Sequence, residues 1–263
     1  MDKFAMSIRQ ACQALNLSRS AYYYRSKAGN KNGELEVKLK SLAIKHKKYG
    51  FWMLYELIRK QGYACNHKRL YRIYKEHNLH LRRKTKRRLP ERLATRLELP
   101  AKPNQAWSVD FMSDSLASGK RFRTFNVIDN FNREALAIEV DTSLPAMRVI
   151  RVLERLKQMR GLPNYIKLDN GPEFISKMLE NWAFDNNIEL KFIEKGKPTQ
   201  NAYIERFNGT YRKEVLSFYY FKNLEEVRDV TEEWLNEYNQ VRPHRSLGGL
   251  SPKEYAEDHC RNG

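Results

Sequence analysis

Three acidic residues, Asp110, Asp169 and Glu205, lie in two predicted strands and one predicted helix. Asp110 is inside the run WSVDF, Asp169 ends the run YIKLD, and Glu205 lies in NAYIERFNGTYRKEVL. Carboxylate oxygens are the preferred ligands of hard divalent cations. Two such ions about 3.5–4 Å apart activate the attacking oxygen and stabilise the leaving oxygen in in-line phosphodiester chemistry. The three carboxylates are therefore candidate ligands for metal-assisted chemistry on a phosphodiester.

Asp169 also has a purely structural explanation. It is followed at once by Asn170-Gly171-Pro172, and Asp or Asn before Gly often bonds the turning backbone at the exit of a strand. Asp110 needs a role or a partner, because burying a carboxylate alone in a strand costs several kcal/mol. By residue type four further acids are equally suitable, and nothing local separates them from the first two: Asp114, Asp129, Asp141 and Glu173.

The helix that carries Glu205 has two distinct faces. Its polar face repeats at i, i+4, i+7 and i+11, with Asn201, Glu205, Asn208 and Arg212. The other side is apolar, and we expect it to pack on a sheet; it consists of Ile204, Phe207, Tyr211 and Val215.

The segments around these acids predict a mixed α/β domain. Three strand-like runs, WSVDFMSD, RFRTFNVIDNF and REALAIEVD, are joined by turns at Ser118-Gly119 and Asn132-Arg133 and favour an antiparallel meander. A helix ending at Gly161 follows, then the strand YIKLD, the helix FISKMLENWAFDNN, the strand ELKFI, the loop EKGKPTQ and a helix from about Asn201. The order β-β-β-α-β-α-β-α is compatible with a central mixed sheet flanked by helices.

The positive charge is confined to the N-terminal part of the chain. Residues 1–100 contain 25 Lys and Arg against 7 Asp and Glu, whereas residues 101–263 contain 24 of each. A basic region beside a neutral one indicates a module that binds a polyanion, most commonly nucleic acid, joined to a domain with different work. A basic face that is merely solvated is the weaker alternative.

The N-terminal part is predicted to be helical. SIRQACQALNLSRSAYYYRSK has apolar residues at helical spacing from Ile8, a turn at Asn16-Leu17 and a second helix capped by Ser18, which is the pattern of a helix-turn-helix. Three more helices are expected between Glu34 and about residue 79, with breaks at Gly50 and Gly62-Tyr63. Their predicted core positions are Leu35, Leu39, Leu42, Ile44, Leu54, Leu57, Ile58, Leu70, Ile73 and Tyr74. The polar face of the last helix lies either in a major groove or only against phosphates; it carries Lys68, Arg69, Arg72 and Lys75.

A basic, proline-marked segment separates these helices from the α/β domain. All residues from Arg82 to Arg88 except Thr85 are basic, namely Arg82, Arg83, Lys84, Lys86, Arg87 and Arg88. We expect the segment to follow the DNA backbone. The predicted division is a helix-turn-helix-like segment at 1–30, a helical DNA-binding domain at 31–88, a linker at 89–103 and a catalytic domain at 104–263.

Several classes of protein are disfavoured. No run approaches the roughly 18 apolar residues of a membrane span, and polar residues interrupt any signal-like segment at the start, so we expect a cytoplasmic protein. Cys12, Cys65 and Cys260 are far apart, which predicts neither a disulfide framework nor a cysteine zinc site.

The sequence resembles the second-frame (OrfB) transposases of bacterial insertion sequences, relatives of retroviral integrases. The resemblance covers essentially the whole chain and is carried by WSVDFMSD, LDNGPEF, NAYIERFNGTYRKEVL and YNQVRPHRSLGGLSPKEY. The family has an Asp, Asp, 35-residue gap, Glu triad, and 35 residues separate Asp169 from Glu205 here.

The resemblance implies an RNase H-like integrase core, with a mixed five-stranded sheet and flanking helices, behind the all-α units. Asp110, Asp169 and Glu205 would be both the catalytic residues and the ligands of two Mg²⁺ or Mn²⁺ ions. It also implies DNA contacts by Arg212, by Asn201 and Asn208 around the helix of Glu205, and by Lys195 and Lys197 in a lid. The implied reaction is hydrolytic exposure of a 3′-OH at the end of the element, followed by attack of that hydroxyl on another phosphodiester.

Two features depart from the family. Retroviral integrases have a His2Cys2 zinc module, but the histidines here lack paired cysteines, so we expect no zinc; they are His46, His67, His77 and His80. Lys167 stands two residues before Asp169, where a small polar residue is usual. Its charge either weakens metal binding or points out of the site.

The resemblance also implies partners. These are double-stranded DNA with the terminal inverted repeats of the element and a target, further copies of the chain on DNA, and a first-frame protein or a frameshift fusion with it, in the nucleoid. A DNA-binding regulator descended from a transposase would not need the triad. An RNase H-like nuclease would have no obvious use for the basic N-terminal half.

Overall fold

The computed structural model describes residues 6–24, 32–81, 100–194 and 201–261. The chain divides into two compact units, one formed by residues 1–47 and 58–80 and the other by residues 48–57 and 81–263. No helix in these described ranges has the length and apolarity needed to cross a membrane.

The N-terminal helices begin and end close to the predicted residues. They are α1 (Ile8–Ala14), α2 (Arg19–Tyr23), α3 (Gly33–Lys45), α4 (Phe51–Lys60) and α5 (His67–Glu76). Asn16 takes a left-handed conformation between the first two helices, and the side chain of Ser18 caps α2 by accepting the N–H of Ala21 at 3.1 Å. The predicted helix-turn-helix pattern is confirmed.

One predicted core position in α3 is wrong. Ile44 is 70% exposed, whereas the other nine predicted positions are buried. Leu35, Leu39 and Leu42 form a stripe at i, i+4 and i+7, and Ile44 lies half a turn away from that stripe at 100° per residue. The next position on the stripe is His46, which is buried.

The second unit is built on a five-stranded sheet. Its strands are β1 (Ala106–Ser115), β2 (Arg121–Asp129), β3 (Ala135–Asp141), β4 (Tyr165–Leu168) and β5 (Glu189–Phe192), in the spatial order β3-β2-β1-β4-β5. The first three strands form the predicted antiparallel meander, and β4 and β5 join it in parallel. The mixed sheet is confirmed.

Helices cover both faces of this sheet. They are α6 (Ala146–Arg160), α7 (Lys177–Asp185), α8 (Ala202–Tyr211), α9 (Leu224–Gln240) and α10 (Pro252–Arg261), with a π-helical turn at Arg212–Leu216. Alternate residues of β1 point to opposite faces. Trp107 and Val109 are buried in a cluster with residues of α6 and α7, while Met112 is buried in a cluster with Tyr211 and with Val215 of the π-helical turn.

Candidate active site

The register of two parallel strands brings Asp110 and Asp169 to neighbouring positions. Ser108 of β1 pairs with Lys167 of β4. Asp110 lies two residues after Ser108, inside β1, and Asp169 lies two residues after Lys167, just past the end of β4. Alternate residues of a strand share a face, so this register brings both carboxylates to the carboxyl-terminal end of β4, beside α8.

Helix α8 lies across β1 through its polar face. The amide of Asn201 donates to the carbonyl of Val109 at 3.5 Å, and Nδ2 of Asn208 donates to Oδ2 of Asp110 at 2.7 Å. One turn further, Arg212 is 3.3 Å from Asp114. The predicted apolar side, Ile204, Phe207, Tyr211 and Val215, is buried in the clusters under the sheet, which confirms the two faces.

The environment of Asp110 raises its pKa. Its Oδ1 accepts the N–H of Phe111 at 2.8 Å, and the residue is partly buried. Burial, and after it the negative charges of Asp169 and Glu205, raise the pKa of Asp110 to about 6. The charges of Asp169 and Glu205 therefore act on Asp110, as neighbouring acids in one site do.

Ion pairing separates the triad from the other acids. Each of the four alternative carboxylates is paired with an arginine, in the pairs Asp114–Arg212, Asp129–Arg160, Asp141–Arg148 and Glu173–Arg123. Within the described ranges, none of Asp110, Asp169 and Glu205 forms an ion pair. Pairing satisfies a carboxylate within the protein, so the three unpaired acids are the ones available to a cation.

The turn after β4 is compatible with both explanations of Asp169, as a residue that bonds the turning backbone and as a metal ligand. Its Oδ1 accepts the N–H of Gly171 at 2.9 Å, as expected of a strand-exit aspartate, and Asn170 donates to the carbonyl of Ile193 at 2.9 Å. A Cβ added at Gly171 would lie 3.0 Å from Oδ1 of Asp169. The turn thus holds the carboxylate in place while leaving it without a cationic partner among the described residues.

Lys167 lies two residues before Asp169 and therefore on the same face of the strand. Its Nζ lies 5.8 Å from the centre of the Tyr165 ring, two residues back along β4. The effect of its charge on metal binding remains a prediction.

The residues fit a divalent cation by donor chemistry. Three carboxylates supply oxygen ligands of the type that Mg²⁺ and Mn²⁺ prefer, and Asp110 has only N–H donors as partners. As they stand, no three His, Cys, Asp or Glu side chains in the described part of the chain are arranged closely enough to hold a metal.

The predicted DNA-binding residues fall into three groups. Lys68, Arg69 and Arg72 are exposed on α5. Asn201, Asn208 and Arg212 are bonded to β1: the two asparagines are buried, and Arg212 donates to Asp114 at 3.3 Å and to the carbonyl of Ser113 at 3.0 Å. Their assignment to DNA remains a prediction. The remaining candidates lie outside the described residues: Arg82, Arg83, Lys84, Lys86, Arg87, Arg88, Lys195 and Lys197.

One residue of the site was not predicted. Asn126 of β2 is fully buried, and its Nδ2 donates to Oδ1 of Asn208 at 2.7 Å. The available signal was a polar amide between Phe125 and Val127 in a strand at the middle of the meander.

Comparisons with known proteins match both the helical and the α/β parts of this chain. An integrase core domain family matches residues 100–198, a second family of the same description matches residues 186–252, and an HTH-like domain family matches residues 31–87. A protein of insertion element IS407 from Burkholderia multivorans is 41% identical over 98% of this chain and 93% of its own length. A protein of insertion element IS476 from Xanthomonas euvesicatoria is 38% identical over 98% of this chain and 75% of its own length.

The chain belongs to the insertion-sequence transposases with an integrase core domain. The fold of this transposase is also that of a retroviral protein. In the cryo-EM structure of a simian T-cell lymphotropic virus intasome with the PP2A regulatory subunit B56 gamma, a chain aligns at a TM-score of 0.51 and 16% identity, over 83% of this chain and 74% of that one. Family membership supports a polynucleotidyl transferase acting in DNA transposition and integration, in a family that normally uses divalent metals.

Proposed function

We propose that this transposase cuts the ends of an insertion sequence to expose a 3′-OH and then joins that end to target DNA by direct transesterification. The observation that carries the proposal is that Asp110 and Asp169 lie at neighbouring strand positions beside the helix of Glu205, and that none of the three acids has an ion pair among the described residues. In the first step water attacks the phosphorus and the bond to the 3′ oxygen breaks. In the second step the freed 3′ oxygen attacks a target phosphodiester, and the target's own 3′ oxygen leaves.

The chain's residues divide this work between holding and positioning. Asp110, Asp169 and Glu205 would hold two Mg²⁺ or Mn²⁺ ions. When bound, such a pair supplies activation of the attacking oxygen and stabilisation of the leaving oxygen. Asn208 and the N–H of Phe111 fix the carboxylate of Asp110, and Gly171 leaves room for that of Asp169. No covalent intermediate with the protein is needed.

Substitution of each acid tests the chemistry. We expect Asp110→Asn, Asp169→Asn and Glu205→Gln each to abolish cleavage and strand transfer on oligonucleotides that carry the element's ends, while gel-shift affinity stays close to that of wild type. Asp185→Asn is the matched control, because Asp185 is an exposed carboxylate of the same unit on α7. Near-normal strand transfer by any of the three variants would remove that residue from the catalytic set.

We further propose that the basic N-terminal part supplies most of the affinity for DNA. In this proposal DNA binding and catalysis are divided among the predicted domains, which are residues 1–30, 31–88, 89–103 and 104–263. The DNA ligands are the terminal inverted repeats of the element and the target. Further copies of the chain on DNA, and a first-frame protein or a frameshift fusion with it, complete the proposed assembly in the nucleoid.

The salt dependence of DNA binding tests this division. Each neutralised phosphate contributes about −0.9 to the slope of log K against log salt concentration. Changing Lys68, Arg69 and Arg72 together to Gln should therefore reduce the slope by up to about 3. An unchanged slope would show that this face of α5 does not contact the phosphates.

A further inference from the structure

Behind Asp110 lies a buried chain of two amides. Nδ2 of Asn126 donates to Oδ1 of Asn208 at 2.7 Å, and Nδ2 of Asn208 donates to Oδ2 of Asp110 at 2.7 Å. Asn126 lies directly opposite Asp110 in the antiparallel pairing of β1 with β2. The three side chains thus join the central strand, its neighbour and α8 at one point.

The direction of this chain follows from hydrogen-bond chemistry. An ionised carboxylate only accepts, so Asn208 must turn its NH₂ group toward Asp110. Its carbonyl oxygen then faces the strand behind and needs a donor there. Asn126 supplies that donor, and so it holds the amide of Asn208 in the one orientation that serves Asp110.

Asn126 is poorly explained by stability alone. It is fully buried, and its own Oδ1 has no hydrogen-bond partner among the described residues. A buried acceptor without a partner costs free energy that an apolar side chain would not cost. Local rules of this kind are broken mainly at functional sites.

We propose that Asn126 is a positioning residue of this transposase, acting through Asn208 to orient the carboxylate of Asp110 toward a divalent cation. The inference rests on the proposed function. The two oxygens of Asp110 each receive one N–H, from Phe111 and from Asn208, and these two bonds fix the plane of the carboxylate. Loss of Asn126 frees Asn208 to turn its oxygen toward Asp110, which repels the carboxylate and disturbs that plane.

The test compares Asn126→Leu with Thr124→Val in the full chain. Leu keeps the branching of Asn without its donor. Thr124 lies two residues away on the same face of β2, is also buried, and has a hydroxyl without a hydrogen-bond partner among the described residues, so it controls for removal of a buried polar group. Asn126→Ala serves as the second variant if Leu does not fit.

Thermal melts in EDTA and across a Mn²⁺ titration give a readout independent of activity. We expect the Mn²⁺ concentration at the midpoint of stabilisation to rise about tenfold in Asn126→Leu, the scale of one hydrogen bond to a charged group. Thr124→Val should keep the wild-type midpoint. Strand transfer by Asn126→Leu should fall at limiting Mn²⁺ and recover in part at high Mn²⁺, with DNA affinity unchanged.

A double-mutant cycle tests whether Asn126 acts on Asp110 through Asn208. If Asn126 acts through Asn208, then Asn126→Leu combined with Asn208→Leu should shift the Mn²⁺ midpoint no further than Asn208→Leu alone. Additive shifts, or a wild-type midpoint for both Asn126 variants, would overturn the inference while leaving the proposed function intact. A wild-type protein with neither strand transfer nor a Mn²⁺ response would overturn both.

Discussion

Replacing Asp110 with Asn should change how the stability of the metal-free protein depends on pH. Burial and two neighbouring negative charges raise the pKa of Asp110 to about 6, whereas an aspartate in an unfolded chain has a pKa of about 3.9. Each tenfold difference in proton affinity is worth about 1.4 kcal/mol. Ionising Asp110 therefore costs about 3 kcal/mol more in the folded protein than in the unfolded chain.

The sign follows from which state holds the proton. Below about pH 4 Asp110 is protonated in both states and contributes nothing to the pH dependence. Between about pH 4 and pH 6 the unfolded chain releases its proton first, so the folded state binds more protons and the free energy of unfolding falls as pH rises. Above about pH 7 the loss is complete, at about 3 kcal/mol.

Tryptophan fluorescence in EDTA provides the assay. All four tryptophans lie in the second compact unit, at Trp52, Trp107, Trp182 and Trp234, so denaturant unfolding followed by their emission reports on the unit that contains Asp110. The free energy of unfolding of Asp110→Asn, minus that of wild type, should rise by up to about 3 kcal/mol between pH 4 and pH 7.

Comparing how the free energy of unfolding of the two proteins changes with pH separates the effect of the charge from effects on hydrogen bonding. Asn at this position also alters the bond with Asn208, but that change is present at every pH, whereas the loss of a titrating group is not. The exposed Asp185→Asn variant is the control and should run parallel to wild type. Parallel curves for Asp110→Asn as well would refute the idea that Asp110 is held in the folded protein at a cost.

Three further changes probe the site and its support. Asp169→Asn removes one of three mutually repelling charges, so this variant should melt at or above the wild-type temperature in EDTA and lose most of the stabilisation by Mn²⁺. If the variant is instead markedly destabilised in EDTA and keeps the wild-type metal shift, Asp169 is only a turn residue. Gly171→Ala places a methyl group 3.0 Å from Oδ1 of Asp169. Strand transfer should therefore fall at least about tenfold, the scale of one displaced hydrogen bond to a charged group, while DNA binding in gel shifts stays normal. Unchanged strand transfer would mean that the turn moves easily to accept the methyl group. Glu214→Ala leaves Arg242 buried without the carboxylate that it contacts at 2.6 Å, so denaturant unfolding should show a loss of about 3–5 kcal/mol, and a loss below about 1 kcal/mol would mean that water reaches the arginine.

Local patterns were enough to predict most elements of this protein. The cap at Ser18, the end of α6 at Gly161 and the two faces of α8 depend on residues a few positions apart, and periodicity and backbone chemistry fix them within one segment. The family resemblance added the spacing that singled out Asp110, Asp169 and Glu205. Ile44 was wrong because its apolar character was counted without its angle around α3.

Contacts between distant segments were decided only by the packing of the sheet. The bond from Asn126 to Asn208 joins residues 82 positions apart, and the bond from Asn208 to Asp110 joins residues 98 positions apart. Neither follows from spacing, because each depends on the register of β1 with β2 and on where α8 crosses them. The arginine partners of Asp114, Asp129, Asp141 and Glu173 are decided in the same way. A carboxylate's type shows what it is able to do, whereas its partners in space determine whether it is free to do it.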